Sequence, residues 1–254
     1  MTTFVRPFLF AWHFLTAVPL SRRHHEPTAT ELAASMAWYS TVGLMIGGAL
    51  ALADAVLAKL FAMEVVNVLV IALLVAITRG LHQDGLADTL DGLAGGRTPA
   101  DRLSIMRDPR IGAIGATGLF LSLILRYAAL AGLPSSLRIP ALVCMPALGR
   151  WAMVTLAWLS PYARTEGGLA APFLVHLSWF HVLGSTVVLA VALVLSLGAP
   201  ATMMTFIGCC VVIVAIQTSC RALFGGITGD TLGATNEVVE ILFLLFVPLL
   251  LALS

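Results

Sequence analysis

Lysine is almost missing from this chain: Lys59 is the only one in 254 residues, and charged residues of both signs together make up 11%. A formal net charge of +1 built from so few cations excludes the broad basic surface that grips a nucleic-acid backbone, so no nucleic acid is expected as a partner. Cysteine is scarce too. Cys144, Cys209, Cys210 and Cys220 fall inside apolar stretches without CxxC spacing, which predicts small buried hydrophobes and neither a disulfide nor a thiolate metal site. There is no low-complexity run and no strong repeat; the Asp-Thr-Leu shared by Asp88 to Leu90 and Asp230 to Leu232 is too short to count. In MTTFVRPFLFAWHFLTAVPLSRRHH the charge cluster follows the apolar part and no small-residue cleavage site is evident, so a cleaved signal peptide is not expected.

What the chain has in abundance is apolar residues. At 59% hydrophobic and a mean hydropathy of +0.99 it is too oily for a soluble domain of its length. It reads as an all-α, polytopic integral membrane helical bundle, with residues 1–254 forming a single transmembrane domain in the lipid bilayer. A span needs about 20 apolar residues in a helix, because lipid offers no partner for an unpaired backbone group. Seven stretches come near that: Gly43 to Ala62, Val65 to Ile77, Ile111 to Gly132, Ile139 to Leu159, Phe180 to Leu197, Met203 to Phe224, and Val239 to Leu253. Arg6, Pro7, His13 and Pro19 interrupt a further segment, Phe4 to Leu20, which suits an interfacial or tilted helix as well as a span.

Arginine placement orients this bundle. Arg22 and Arg23 precede the first span, and Arg97, Arg102, Arg107 and Arg110 follow the second, against Arg138 alone between the third and fourth. By the positive-inside tendency the arginine-rich connections are cytoplasmic. Counting spans from there places Thr78 to Arg110, Ser160 to Ser178 and Gly225 to Glu237 on that same face, with nearly all of the carboxylates.

The chemistry is expected in the run HQDGLADTLDGLAGG, which sets Asp84, Asp88 and Asp91 within eight residues. At about 100° per residue, a helix aims all three one way, Asp88 lying roughly 40° from Asp84 and Asp91 roughly 20° to its other side. Hard carboxylate oxygens so grouped, next to Gly95 and Gly96, suit Mg²⁺ better than zinc. His82 lies about 160° from Asp84 and joins the carboxylates only if the backbone departs from a helix. Arg102, Arg107 and Arg110 flank Asp108 and are candidates for a phosphate or pyrophosphate. In GGITGDTLGATNEVVE, glycines including Gly226 and Gly229 surround Asp230, and Glu237 follows it by seven residues on nearly the same helical face. Arg126 and Arg150 fall inside apolar stretches; an inward role is expected for Arg150, and snorkelling for Arg126.

HQDGLADTLDGLAGG, then RLSIMRDPRIGAIG, then GGITGDTLGA with the downstream Glu237, resemble the cobalamin 5′-phosphate synthases, also called adenosylcobinamide-GDP ribazoletransferases. The likeness runs from about Phe14 to Glu240. It departs at Ala17, where the family usually has arginine, at Thr41, usually proline, and at Arg107, usually lysine. The resemblance implies a Mg²⁺-dependent, multi-pass enzyme of the bacterial inner membrane. Its substrates would be a GDP-activated corrinoid and α-ribazole or the 5′-phosphate, with GMP released. On this reading Asp84, Asp88 and Asp91 hold the metal, Arg102 or Arg107 supports the pyrophosphate, and Asp230 or Glu237 completes the metal shell or takes the hydroxyl proton. His82, Asp108, Arg150, Gly226 and Gly229 are further candidates for the site, and a homo-oligomer is left open. Two competing readings are a CDP-alcohol phosphotransferase, against which Ala87 is followed by Asp88 where that signature has arginine, and a transporter lined by Asp54, Arg126 and Arg150.

Overall fold

The computed structural model describes residues 2–21 and 26–253; Arg22 and Arg23 lie outside them. The helices are α1 (Thr2–Leu15), α2 (Ala29–Ser35), α3 (Tyr39–Leu57), α4 (Met63–Thr78), α5 (Leu81–Gly95), α6 (Pro99–Ile105), α7 (Ala113–Gly132), α8 (Ser135–Leu159), α9 (Ala171–Leu174), α10 (Trp179–Leu197), α11 (Ala199–Phe224) and α12 (Gly229–Leu253). A 3-10 turn, Met36–Trp38, joins α2 to α3. Among the described residues the only β pairing is one isolated bridge, Tyr162 to Ile227. Six helices are long and apolar enough to cross a membrane, and α4 with α5 makes a seventh if that bent pair is one span. The all-α membrane bundle expected from hydropathy is therefore the fold.

α8 is the core of the bundle, and glycines let its neighbours close on it. Gly43 and Gly47 of α3 meet its backbone: a Cβ on Gly43 would fall 2.4 Å from Ala147 Cα, and one on Gly47 2.2 Å from Val143 O. This four-residue spacing of glycines is how membrane helices gain contact where lipid provides no hydrophobic drive. α7, α10 and α11 are the outer helices and present side chains such as Phe120, Val191 and Val211 outward.

The bend between α4 and α5 positions the site. Arg79 and Gly80 both adopt left-handed backbone, with φ of 56° and 67°, and the two helix axes differ by 88°. α4 has 16 residues, about 24 Å of helix, so it nearly crosses a bilayer. α5 then crosses the first turn of α12, with the acidic run on it. The guanidinium of Arg79 ties this bend to α1 by donating to the carbonyls of His13 and Thr16, both at 3.1 Å.

Three expectations change here. α12 starts at Gly229, ten residues before the expected Val239, so the acidic part of the glycine-rich segment is helical, while Gly225, Gly226, Ile227 and Thr228 form its non-helical entry. Arg138 is no loop cation: it lies in the first turn of α8, buried, and donates to Asp54 at 2.6 Å and Asn67 at 2.7 Å. Arg126 does not snorkel. It and Arg150 are buried in the bundle and paired with α12: Arg126 with Glu237 at 2.8 Å and Glu240 at 2.7 Å, and Arg150 with Glu240.

The three polar segments meet at one end. Ala163 N–H donates to Ile227 O at 2.8 Å and Ile227 N–H to Pro161 O at 2.9 Å, joining the α8–α9 connection to the entry of α12. Arg107 pairs with Glu166 at 2.6 Å, tying the α6–α7 turn to the same connection.

Candidate active site

Two glycines make the site by letting two helices touch. A Cβ on Gly85 of α5 would lie 2.7 Å from Asp230 O, and one on Gly233 of α12 would lie 3.3 Å from His82 Cα. The crossing sets Asp84 and Asp88 beside Asp230. Partial burial, then the negative charges of Asp84, Asp230 and Asp91, push the Asp88 carboxyl up to about 6, against an opposing pull from Arg164. Among the described residues no hydrogen-bond donor meets the carboxylate of Asp84 or Asp88.

Asp91 is placed differently. Its Oδ2 accepts from Gly112 N–H and its Oδ1 from Gly115 N–H, both at 2.7 Å, so it sits on the N-terminus of α7. A Cβ on Gly112 or Gly115 would fall 2.4 or 2.3 Å from that carboxylate. The glycine spacing of IGAIG thus seats Asp91 and fixes α5 against α7.

A cavity of about 180 Å³ opens beside the crossing. His82 and Asp84 reach it from α5, Gly229, Asp230 and Gly233 from α12, and Tyr162 and Arg164 from the α8–α9 connection, while Phe14, Tyr39 and Phe173 form an aromatic wall. Arg164 donates to Asp230 Oδ2 at 3.0 Å, and Thr228 Oγ1 lies 3.2 Å from the same oxygen. Thr228 also accepts from Thr231 N–H at 3.2 Å, opening α12 so that Asp230 stands in its first turn. His82 reaches the cavity although helical geometry points it away from Asp84. It is 1% exposed, neither ring nitrogen has a partner, and burial followed by the charges of Arg150 and Arg126 holds its pKa well below the usual range.

Other candidates have other occupations. Arg102 donates to Gly96 O at 3.1 Å and Leu223 O at 3.0 Å, binding α6 to the end of α11. Gly96 gives the Arg102 stem room, since a Cβ there would lie 2.2 Å from Arg102 Cγ. Arg107 is half exposed at the rim, on Glu166. Asp108 pairs with Arg110, whose guanidinium holds it down to about 2. Gly226 permits a close pass, a Cβ there falling 2.4 Å from Pro161 O. Glu237 and Arg150 lie deeper, in the ion network, and neither lines the cavity. Sequence reasoning missed Arg164, Tyr39 and Phe173. Arg164 alone carried a signal, as an isolated cation in a segment already placed on the working face. Among the described residues no three His, Cys, Asp or Glu side chains are gathered so as to hold a metal by themselves.

The model of the family described as cobalamin-5-phosphate synthase matches residues 7–248. Over 223 residues the chain is 40% identical to the adenosylcobinamide-GDP ribazoletransferase of Syntrophobacter fumaroxidans, covering 85% of this chain and 87% of that one. The enzyme of the same name from Desulfitobacterium hafniense is 37% identical over 245 residues, 95% of this chain and 96% of its own. That from Chlorobaculum tepidum is 35% identical over 229 residues, 89% and 88% of the two chains. No solved structure matches the chain. The family match spans every element of the cavity, from Phe14 on α1 to Gly233 on α12, and on this ground the chain belongs to the cobalamin-5-phosphate synthase family.

Proposed function

We propose that this chain is a membrane-embedded transferase joining adenosylcobinamide-GDP to α-ribazole or α-ribazole 5′-phosphate, releasing GMP and forming adenosylcobalamin or its 5′-phosphate. The observation that carries the reading is one cavity in which Asp84, Arg164 and Asp230, from three separate polar segments, come together in a member of this family. In the reaction a ribose hydroxyl oxygen bonds to the phosphorus on the corrinoid side. The anhydride P–O bond breaks, GMP leaves with the electron pair, and the hydroxyl proton goes to a carboxylate. Such transfers depend on positioning and on neutralising phosphate charge. Asp230, in the polar part of the cavity, is placed to take the proton, and Arg164 beside it to meet phosphate oxygens. Arg107 is the rim arginine that faces the same approach.

Asp84 and Asp88 fit Mg²⁺. They are hard oxygen donors without hydrogen-bond partners, crowded by like charge, and Mg²⁺ is commonly held by one or two carboxylates with substrate phosphates and water. Bound there, the ion would withdraw charge from the pyrophosphate oxygens. Asp91 serves as the strut that aims those two, and Asp230 is the nearest further carboxylate. The site end is assigned to the cytoplasmic face of the bacterial inner membrane, a reading supported by Arg79, Arg97, Arg102, Arg107, Arg110 and Arg164 at that end.

The test is incubation of the purified protein, in detergent or liposomes, with adenosylcobinamide-GDP and α-ribazole phosphate. GMP and a cobalamin product are expected with Mg²⁺ and lost with chelator. No product under either condition overturns the reading.

A further inference from the structure

We infer that the cavity is the seat of the lower-base nucleoside: its flat base lies among Phe14, Tyr39 and Phe173, and its ribose turns toward Asp230 and Arg164. This rests on the transferase reading and assigns one of the two substrates to a place.

The cavity lining is of two chemical kinds. Asp84, Asp230 and Arg164 supply the polar part. In the aromatic part, the rings of Phe14 and Phe173 lie 4.9 Å apart at 47°, and Tyr39 stacks on Phe14 at 6.4 Å and 19°. Phe173 is 7% exposed and Tyr39 2%, so surrounding structure fixes this wall. At about 180 Å³ the cavity suits a flat bicyclic group and is far smaller than a corrin macrocycle needs.

Two flat bicyclic bases take part in the reaction, and the wall discriminates between them. Guanine carries donors and acceptors around its edge, and burying them among phenylalanines would leave them unmet. The dimethylbenzimidazole of α-ribazole carries no exocyclic polar group and a single free ring nitrogen, an acceptor. The Tyr39 hydroxyl, which no hydrogen bond engages among the described residues, is the complementary donor on the aromatic side. With the base inserted, the ribose hydroxyls reach the polar part, next to the carboxylate that takes the proton. The GDP-activated corrinoid then approaches from outside, its pyrophosphate over Asp84 and Asp88.

The experiment is steady-state kinetics of the full-length protein, each substrate varied with the other saturating. Phe173→Ala is expected to raise KM for α-ribazole about tenfold or more while KM for adenosylcobinamide-GDP stays within about twofold. Tyr39→Phe is expected to move the same constant in the same direction. Phe173→Leu, which keeps an apolar filler, gives a smaller selective rise and serves if the alanine variant does not fold. Phe120→Ala, on the outer face of α7, leaves both constants unchanged. A rise confined to adenosylcobinamide-GDP, a rise shared equally by both substrates, or no change overturns the assignment. If the wild type releases no GMP, the transferase reading fails, and equilibrium dialysis with labelled α-ribazole decides the cavity separately. Binding that Phe173→Ala abolishes supports the assignment; absence of wild-type binding overturns it.

Discussion

Asp88 is the residue whose environment works most against its own charge. In the folded protein it takes up a proton near pH 6, and in an unfolded chain near about 4. Its charged form is therefore disfavoured by folding at pH 7, and stability is recovered as pH falls through the folded value toward the unfolded one. Asp88→Asn removes the repulsion, so the metal-free variant should unfold at a higher temperature than wild type at pH 7, with the gap closing as pH falls to about 4. Added Mg²⁺ should stabilise wild type and not the variant, whose turnover at limiting Mg²⁺ should fall. Thermal unfolding in detergent across pH, with and without Mg²⁺, checks this, and a gap independent of pH contradicts it. A motif member that costs stability and is relieved by a ligand is the pattern expected of a functional carboxylate. Asp91 in the same run is held instead by two backbone donors.

At the scale of elements the site depends on how closely α5 and α12 approach. Gly85→Ala would place a methyl 2.7 Å from Asp230 O, a backbone atom that cannot rotate away, so the helices must separate. Overpacking of this kind costs about 1–3 kcal/mol. The displacement of Asp230 from Asp84 and Asp88 is expected to cost more, roughly 10²-fold in turnover. Turnover measured alongside the unfolding midpoint separates the two; activity that falls only as far as the folded fraction does contradicts the crossing as the organiser of the site. The acidic run was legible in sequence because carboxylates are so rare here, and the apolar stretches were legible because hydropathy decides them. The start of α12 was not. Gly229, Asn236 and Glu237 read as part of a polar connection, since the arginines that neutralise Glu237 and Glu240, Arg126 and Arg150, come from other helices more than a hundred and about ninety residues away. The α4–α5 bend was hidden for a related reason: its left-handed Arg79 is held by the carbonyls of His13 in α1 and of Thr16 just beyond it, a tertiary contact with no local pattern.

Across the whole molecule, most charge among the described residues is either buried in pairs or gathered at one end, Lys59 and Glu64 at the α3–α4 connection being the exceptions. Arg126, Arg150, Glu237 and Glu240 close a neutral network within the bundle, and Asp54 pairs with Arg138, so the residues that the transporter reading sets along a path are held in ion pairs. Removing one member strands its partners: Glu240→Ala leaves two buried guanidinium groups with one carboxylate and should destabilise by about 3–5 kcal/mol, seen as a large drop in unfolding temperature. The orientation of the bundle follows from what remains. With Arg138 withdrawn into its ion pair, the end holding the α3–α4 and α7–α8 connections keeps Lys59 near its surface, while the opposite end keeps Arg97, Arg107 and Arg110. That asymmetry strengthens the positive-inside argument for a cytoplasmic site. It can be read directly in a variant whose four native cysteines are replaced, carrying a single new one at Ala100 or at Ser136, exposed positions at opposite ends. In cells, a membrane-impermeant thiol reagent that crosses the outer membrane should modify Ser136→Cys and spare Ala100→Cys, and inverted vesicles should reverse the pattern. The opposite labelling would place the carboxylates, the cavity and GMP release on the outer face, away from a cytoplasmic supply of nucleotide-activated substrate.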